Sequence, residues 1–282
     1  MKNGVLYVVA TPIGNLDDIS TRAVEVLGKV NLVAAEDTRH SRTLLNHFGI
    51  DVRMLSLHEH NEYQALGKVI DRLQQGDSVA LISDAGTPLI SDPGFALVRE
   101  CHKQGIPVSP IPGPSAAIAA LSASGLASDS FLFLGFPNRN KSARRAEFEG
   151  LINESRTMLF YESSHRVKSC LQDMADIFGA DRIGVVAREL TKLHETIMQD
   201  SLGSLCEVLE LDPMQSKGEF VLIVSGFVGT TGDELDPEAL RSLKLLMQEL
   251  PLKQAAALAA KLTGEKKNRL YKCGLELQNG DS

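Results

Sequence analysis

The sequence predicts an α/β protein: a mostly parallel, doubly wound N-terminal sheet, a second α/β domain and a small helical C-terminal extension. Three observations predict it. Short β-branched runs alternate with amphipathic helical segments over most of the chain, which is the rhythm of β-α-β units. Pro110, Pro112, Gly113 and Pro114 interrupt that rhythm at one place and mark a domain junction. Beyond the linker-like stretch 229–237 the β pattern vanishes and only helical periodicity remains. The expected domains are 1–113, 114–228 and, with the linker, 229–282.

In chain order, residues 5–10 read as a buried strand that runs into the turn-rich Thr11-Pro12-Ile13-Gly14-Asn15. A helix follows, with Ile19, Ala23, Val24 and Leu27 on one face and Gly28 as its stop. Residues 32–35 are the next strand, then the polar cluster Glu36-Asp37-Thr38-Arg39-His40 and a helix closed by Gly49. Strands at 53–57, 78–83 and 107–111 alternate with helices at 62–75 and 95–104. Ser115 is placed to cap a helix of small residues at 115–124. Further strands are expected at 131–135, 158–161, 183–187 and 220–224, with helices at 143–154 and 167–178. The tail reads as three short helices, 238–249, 252–262 and 266–277, a helix-turn-helix-like unit.

Composition narrows the class. The 282 residues carry 29 Lys+Arg against 36 Asp+Glu, a net charge of −7, which argues against nonspecific coating of nucleic acid. No stretch approaches the ~18 apolar residues a membrane span needs. Residues 1–10 are too short, and too soon followed by polar turn residues, to read as a signal peptide. Cys101, Cys170, Cys206 and Cys273 are scattered, which fits reduced thiols in a cytoplasmic protein.

Three Gly/Pro loops follow strands: 11–15, 83–88 and 111–116. Any one is a tight turn. Three together, at the carboxyl ends of parallel strands, point to a crevice where a small ligand meets backbone. The dinucleotide, P-loop and nucleophile-elbow fingerprints are missing. His58-Glu59-His60 has chelating spacing without a third ligand nearby, so no metal is expected. Mixed-charge clusters follow other strands, at 36–39, 161–166 and 188–192. They read either as caps and ion pairs or as a polar wall that orients substrate. Arg139, Lys141, Arg144 and Arg145, and in the tail Lys253, Lys261, Lys266, Lys267, Arg269 and Lys272, are local basic surfaces suited to phosphate.

Seven segments in order, VATPIGNLDDIS, AAEDTRHSRTLL, LISDAGTPLISDPG, PIPGPSAAIAALSASG, FYESSHR, ARELTKLHET and KGEFVLIV, resemble the tetrapyrrole-methylase superfamily of S-adenosylmethionine-dependent methyltransferases. The resemblance spans residues 5–224, and the terminal helices also match an extension found in one branch. It implies two α/β domains with S-adenosylmethionine folded in the cleft between them, and a homodimer. Within the family the match implies methylation of a cytidine ribose 2′-hydroxyl in 16S rRNA of the small ribosomal subunit.

Carried over by motif, Pro12, Asp84, Ala85, Gly86, Thr87, Pro88, Ser115, Ala116, Tyr161 and Ala187 would border the cofactor. Glu36 and Glu189 are candidate bases, and Arg39, Arg188 and Lys192 candidates to steer phosphate or stabilise charge. Two other readings stand beside this one. A tetrapyrrole C-methyltransferase would share fold and cofactor but has no use for the basic helical tail. A noncatalytic RNA-binding factor would be expected to have degenerate cofactor loops, whereas these look complete.

Overall fold

A computed structural model describes residues 4–58, 61–228 and 237–280. The chain forms two compact units, Met1–Gly226 and Phe227–Ser282.

The first unit holds two five-stranded sheets. One contains β1 (Leu6–Val9), β2 (Leu32–Ala35), β3 (Met54–Ser56), β4 (Val79–Ile82) and β5 (Val108–Ile111), in the order β3-β2-β4-β1-β5. Every pairing is parallel. β2 and β4, LVAA and VALI, are buried at every residue, because helices cover both faces of a parallel sheet. Side chains alternate across it. Leu6, Ala34 and Leu81 pack under α3 (Glu62–Gln74) and α4 (Phe95–Lys103). Val9, Val33 and Ile82 pack under α1 (Thr21–Leu27) and α2 (Thr38–His47). Ser20 caps α1 and Asp37 caps α2 with side-chain oxygens. The doubly wound expectation therefore holds, with element ends shifted by a residue or two.

The second sheet contains β6 (Phe131–Phe133), β7 (Thr157–Ser163), β8 (Ile183–Arg188), β9 (Thr196–Ser201) and β10 (Glu219–Val224), ordered β6-β7-β10-β8-β9. Only β6 and β7 run parallel; β10 is antiparallel to β7 and β8, and β8 to β9. Sequence periodicity does not announce β9, since TIMQDS is a half-exposed edge strand with no apolar run. One face carries α6 (Lys141–Glu149), α7 (Val167–Phe178) and α8 (Leu202–Leu211), through Phe148, Met174 and Leu205 against Phe160 and Leu222. The other face carries α5 (Ala116–Ala123), whose Ala117 and Ala120 meet Leu159, Ala187 and Val221.

The second unit packs α9 (Pro237–Glu249), α10 (Leu252–Thr263) and α11 (Lys267–Gly280) around Ala239, Leu243, Ala255, Ala256, Ala259 and Leu270. Alanines permit the close approach, and left-handed Gly264 (φ 77°) ends α10. Residues 229–236 of the expected linker, and Glu59 and His60 of the chelating spacing, lie outside the described residues.

Candidate functional site

Within the first unit, a cavity of about 540 Å³ opens between the two sheets. Its first wall is made by the loops after β1, β2, β4 and β5, and its second by residues of β7, β8 and β10.

The first-wall loops are tied together largely through backbone. Thr11 and Gly86 exchange amide–carbonyl hydrogen bonds of 2.9 and 3.1 Å, and Thr11 Oγ1 donates to the Ser83 carbonyl at 3.2 Å. Thr87 Oγ1 donates to the Pro114 carbonyl at 3.0 Å, and the Asp37 amide donates to Asp84 Oδ1 at 3.0 Å. Four strand ends thus become one surface. Gly86 has φ +82°, and a Cβ there would lie 3.3 Å from Ile13 Cγ2. Leu89 and Ser91, in the same loop, hold left-handed backbone at φ 73° and 68°, strain of the kind that clusters at ligand clamps.

The second wall is made largely of side chains. The Tyr161 hydroxyl accepts from the Ala117 amide at 3.3 Å, in the first turn of α5. Its ring centroid lies 5.0 Å from that of Phe133 and 5.5 Å from that of Phe136. Glu162 is buried and accepts from Arg166 Nε and Nη2 at 2.9 and 2.7 Å. Arg166 Nη2 also donates to the Pro137 carbonyl at 2.7 Å. Gly218, Glu219 and Val221 complete the wall, because antiparallel β10 starts where β7 and β8 end. The walls meet where the Asn15 amide donates to Thr191 Oγ1 at 3.1 Å.

Charge inside the cavity is tuned by burial. Desolvation pushes the Asp92 carboxyl up; a hydrogen bond from Ser83 opposes this and the neighbouring Asp84 adds to it. Burial likewise raises the Tyr161 phenol, against the opposing Ala117 amide.

These residues fit S-adenosylmethionine. The volume suits a ligand of that size. Asp84 is an acceptor for sugar hydroxyls, the amino end of α5 at Ser115 and Ala116 suits a carboxylate, and Ala187, Leu190 and Val221 offer an apolar face to a flat ring. The cradle at Gly86 stays open because it lacks a Cβ.

Of the residues expected to border the cofactor, Asp84, Ala85, Gly86, Thr87, Ser115, Ala116, Tyr161 and Ala187 line this cavity. Pro12 and Pro88 do not: both are buried beneath the loops, and Ile13 takes the place expected of Pro12. Ser115 sits at the cap position of α5 without a capping side-chain bond. Asp92, Phe136 and the start of β10 also line the cavity, outside the residues expected there.

Of the candidate catalytic residues, Glu36 lines the cavity, whereas Arg39, Arg188 and Glu189 do not. Arg39 projects into solvent from the first turn of α2, beside Asp37. Arg188 is buried and donates to the carbonyls of Lys217 and His194 at 2.7 and 3.1 Å. Glu189 accepts from Lys192 Nζ at 2.9 Å and from the Glu219 amide at 3.0 Å. Burial pushes its carboxyl up, but these two donors outweigh that and hold it below the usual carboxylate range.

The basic segments also divide. Arg144 is buried, with its guanidinium on Asp173, so it presents nothing to a polyanion. Arg145 spans Asp173 and Asp176 at 2.9 and 3.0 Å. Arg139 and Lys141 are exposed. In the second unit Lys266 and Lys267 are exposed, and Arg269 pairs with Glu265 at 2.9 Å. Among the described residues, no group of three His, Cys, Asp or Glu could hold a metal ion.

Comparison with known proteins adds the following. Residues 5–206 match the family model described as tetrapyrrole (corrin/porphyrin) methylases, and residues 233–278 match the RsmI C-terminal HTH domain. The chain is 54% identical over 279 residues to ribosomal RNA small subunit methyltransferase I of Pseudomonas aeruginosa, covering 99% of each chain. It is 53% identical over 273 residues to the protein of that name from Pasteurella multocida, covering 97% of each. Among solved structures, diphthine synthase aligns with a TM-score of 0.59 at 18% identity, over 79% of this chain and 90% of that one. A cobalt precorrin-4 methyltransferase aligns with a TM-score of 0.58 at 16% identity, over 78% and 94%. These two likenesses are of fold.

Proposed function

The chain belongs to the tetrapyrrole methylase family, and from that premise we propose that it transfers a methyl group from S-adenosylmethionine to small-subunit ribosomal RNA. Identity above one half with rRNA methyltransferases, over nearly the full length of both chains, carries the reading. The segment matching the RsmI C-terminal domain favours RNA over a tetrapyrrole substrate. The finer assignment is the ribose 2′-hydroxyl of a cytidine in 16S rRNA, by a cytoplasmic homodimer.

When bound, S-adenosylmethionine supplies a methyl group on a positively charged sulfur, which departs as a neutral thioether. The protein's share is then chiefly positioning, with donor and acceptor held ~3–3.5 Å apart in line. The first wall presents backbone and Asp84 to the cofactor, and Ser115 and Ala116 at the amino end of α5 offer a second anchor. Glu36, on the wall of the cavity at the end of β2, is assigned to take the ribose proton. Glu189 is ill suited to that role, because Lys192 and the Glu219 amide stabilise its ionised form. Arg139, Lys141, Lys266 and Lys267 are the cations assigned to phosphate, so affinity for the subunit should fall steeply with salt despite the net charge of −7.

Mass mapping of small-subunit RNA, with and without the protein and its cofactor, tests the reading. One added methyl on a cytidine ribose is expected; transfer to a tetrapyrrole alone, or no cofactor binding by calorimetry, would overturn it. Glu36→Gln should keep cofactor affinity and slow single-turnover transfer at least ~10²-fold. An unimpaired chemical step removes Glu36 from the role.

A further inference from the structure

We propose that the ring of Phe136 is the platform on which the base of the target nucleotide stacks while its ribose enters the cavity. The proposal rests on the rRNA reading above.

Phe136 lies at the cavity yet is 57% exposed, whereas Phe148 and Phe160 of the same lobe are fully buried. So open a ring adds little to the core. It is nevertheless held firmly. Tyr161 backs it, with ring planes inclined at 59°, and Phe133 backs Tyr161 edge-on at 70°. Both chain neighbours are pinned. The Gly135 carbonyl accepts from the Tyr161 amide at 2.9 Å. The Pro137 carbonyl accepts from Arg166, itself paired with buried Glu162. Gly135 has φ +63°, and a Cβ there would lie 3.1 Å from Ser91 Oγ, so the turn that presents the ring passes close to the first wall.

The chemistry calls for such a surface. A sugar hydroxyl inside a stacked strand cannot reach the floor of a walled cavity, so the nucleotide has to leave its stack. The freed base then needs another π-face, and an aromatic ring accepts any base. Exposed Arg139 follows three residues later, where it can take a flanking phosphate. The competing occupant of the ring is the adenine of the cofactor.

The test compares unaltered protein with Phe136→Leu, Phe136→Tyr and Phe136→Trp, using small ribosomal subunits that lack the methyl group. Phe136→Leu should lower kcat/KM for subunits about tenfold or more, mainly through KM. Its calorimetric Kd for S-adenosylmethionine should stay within about twofold, and the Tyr and Trp variants should retain transfer near the unaltered level. The platform falls if Phe136→Leu leaves kcat/KM unchanged, if it weakens cofactor binding as much as transfer, or if neither aromatic variant retains activity. Failure of the unaltered protein to methylate subunits would instead defeat the functional reading, and the platform with it.

Discussion

The two walls of the cavity are built on opposite principles. In the parallel sheet every strand-to-helix loop leaves from one edge, so the loops after β1, β2, β4 and β5 lie side by side and each gives a backbone group to a neighbour. In the second sheet neighbouring strands reverse, so ends of β7 and β8 alternate with the start of β10. There the rings of Tyr161 and Phe136 face the cavity, and the Glu162 carboxylate is buried on Arg166. A wall of backbone is sensitive to added bulk and conformation. A wall of side chains is sensitive to lost partners.

The sharpest challenge to that contrast is Arg166→Met. It leaves the fully buried Glu162 carboxylate without its bidentate partner and frees the Pro137 carbonyl. Breaking a buried pair in this way should cost about 3 kcal/mol or more in chemical denaturation; a loss below about 1 kcal/mol would show that the second wall does not depend on this brace. Next comes Gly86→Val on the first wall. A β-branched residue at φ +82°, with its Cβ against Ile13, should cost about 2 kcal/mol and weaken cofactor binding more than about tenfold by calorimetry. Unchanged affinity would mean that the backbone cradle is not what holds the ligand.

The smallest effect is one of pH, at the corner where the walls meet. The Glu189 carboxyl titrates below an unfolded glutamate at about 4.3. Its contribution is therefore present above that pH and lost as pH falls through the lower folded-state value. Glu189→Gln should flatten the acid side of the stability curve, with a loss under about 1 kcal/mol at pH 7 because the pair is partly exposed. An identical acid limb in the variant would remove Glu189 from the linkage.

Legibility in the sequence follows the same division. The Asp84–Thr87 loop and Ser115-Ala116 are found by a simple rule, that ligands gather beyond the carboxyl ends of parallel strands. That rule misses Gly218 and Glu219, which reach the cavity from the amino end of a strand. It also misses Asp92, at the far end of the same long loop, and Phe136, one residue beyond the strand expected at 131–135. Charge misleads in the opposite direction. Arg144, in a basic segment, and Arg188, in a mixed-charge cluster, look like phosphate ligands, but the fold buries both, one on Asp173 and the other on two carbonyls.

By itself the sequence determined the alternation of elements, the parallel first sheet, the stops at Gly and Pro and the segments that carry the family resemblance. Those are local matters of propensity and pattern, decided within a few residues. Which cations face solvent, which carboxylate reaches the cavity, and that the start of β10 closes the second wall were decided only by tertiary structure. Burial and strand direction depend on partners far away in the chain, and no local window contains them.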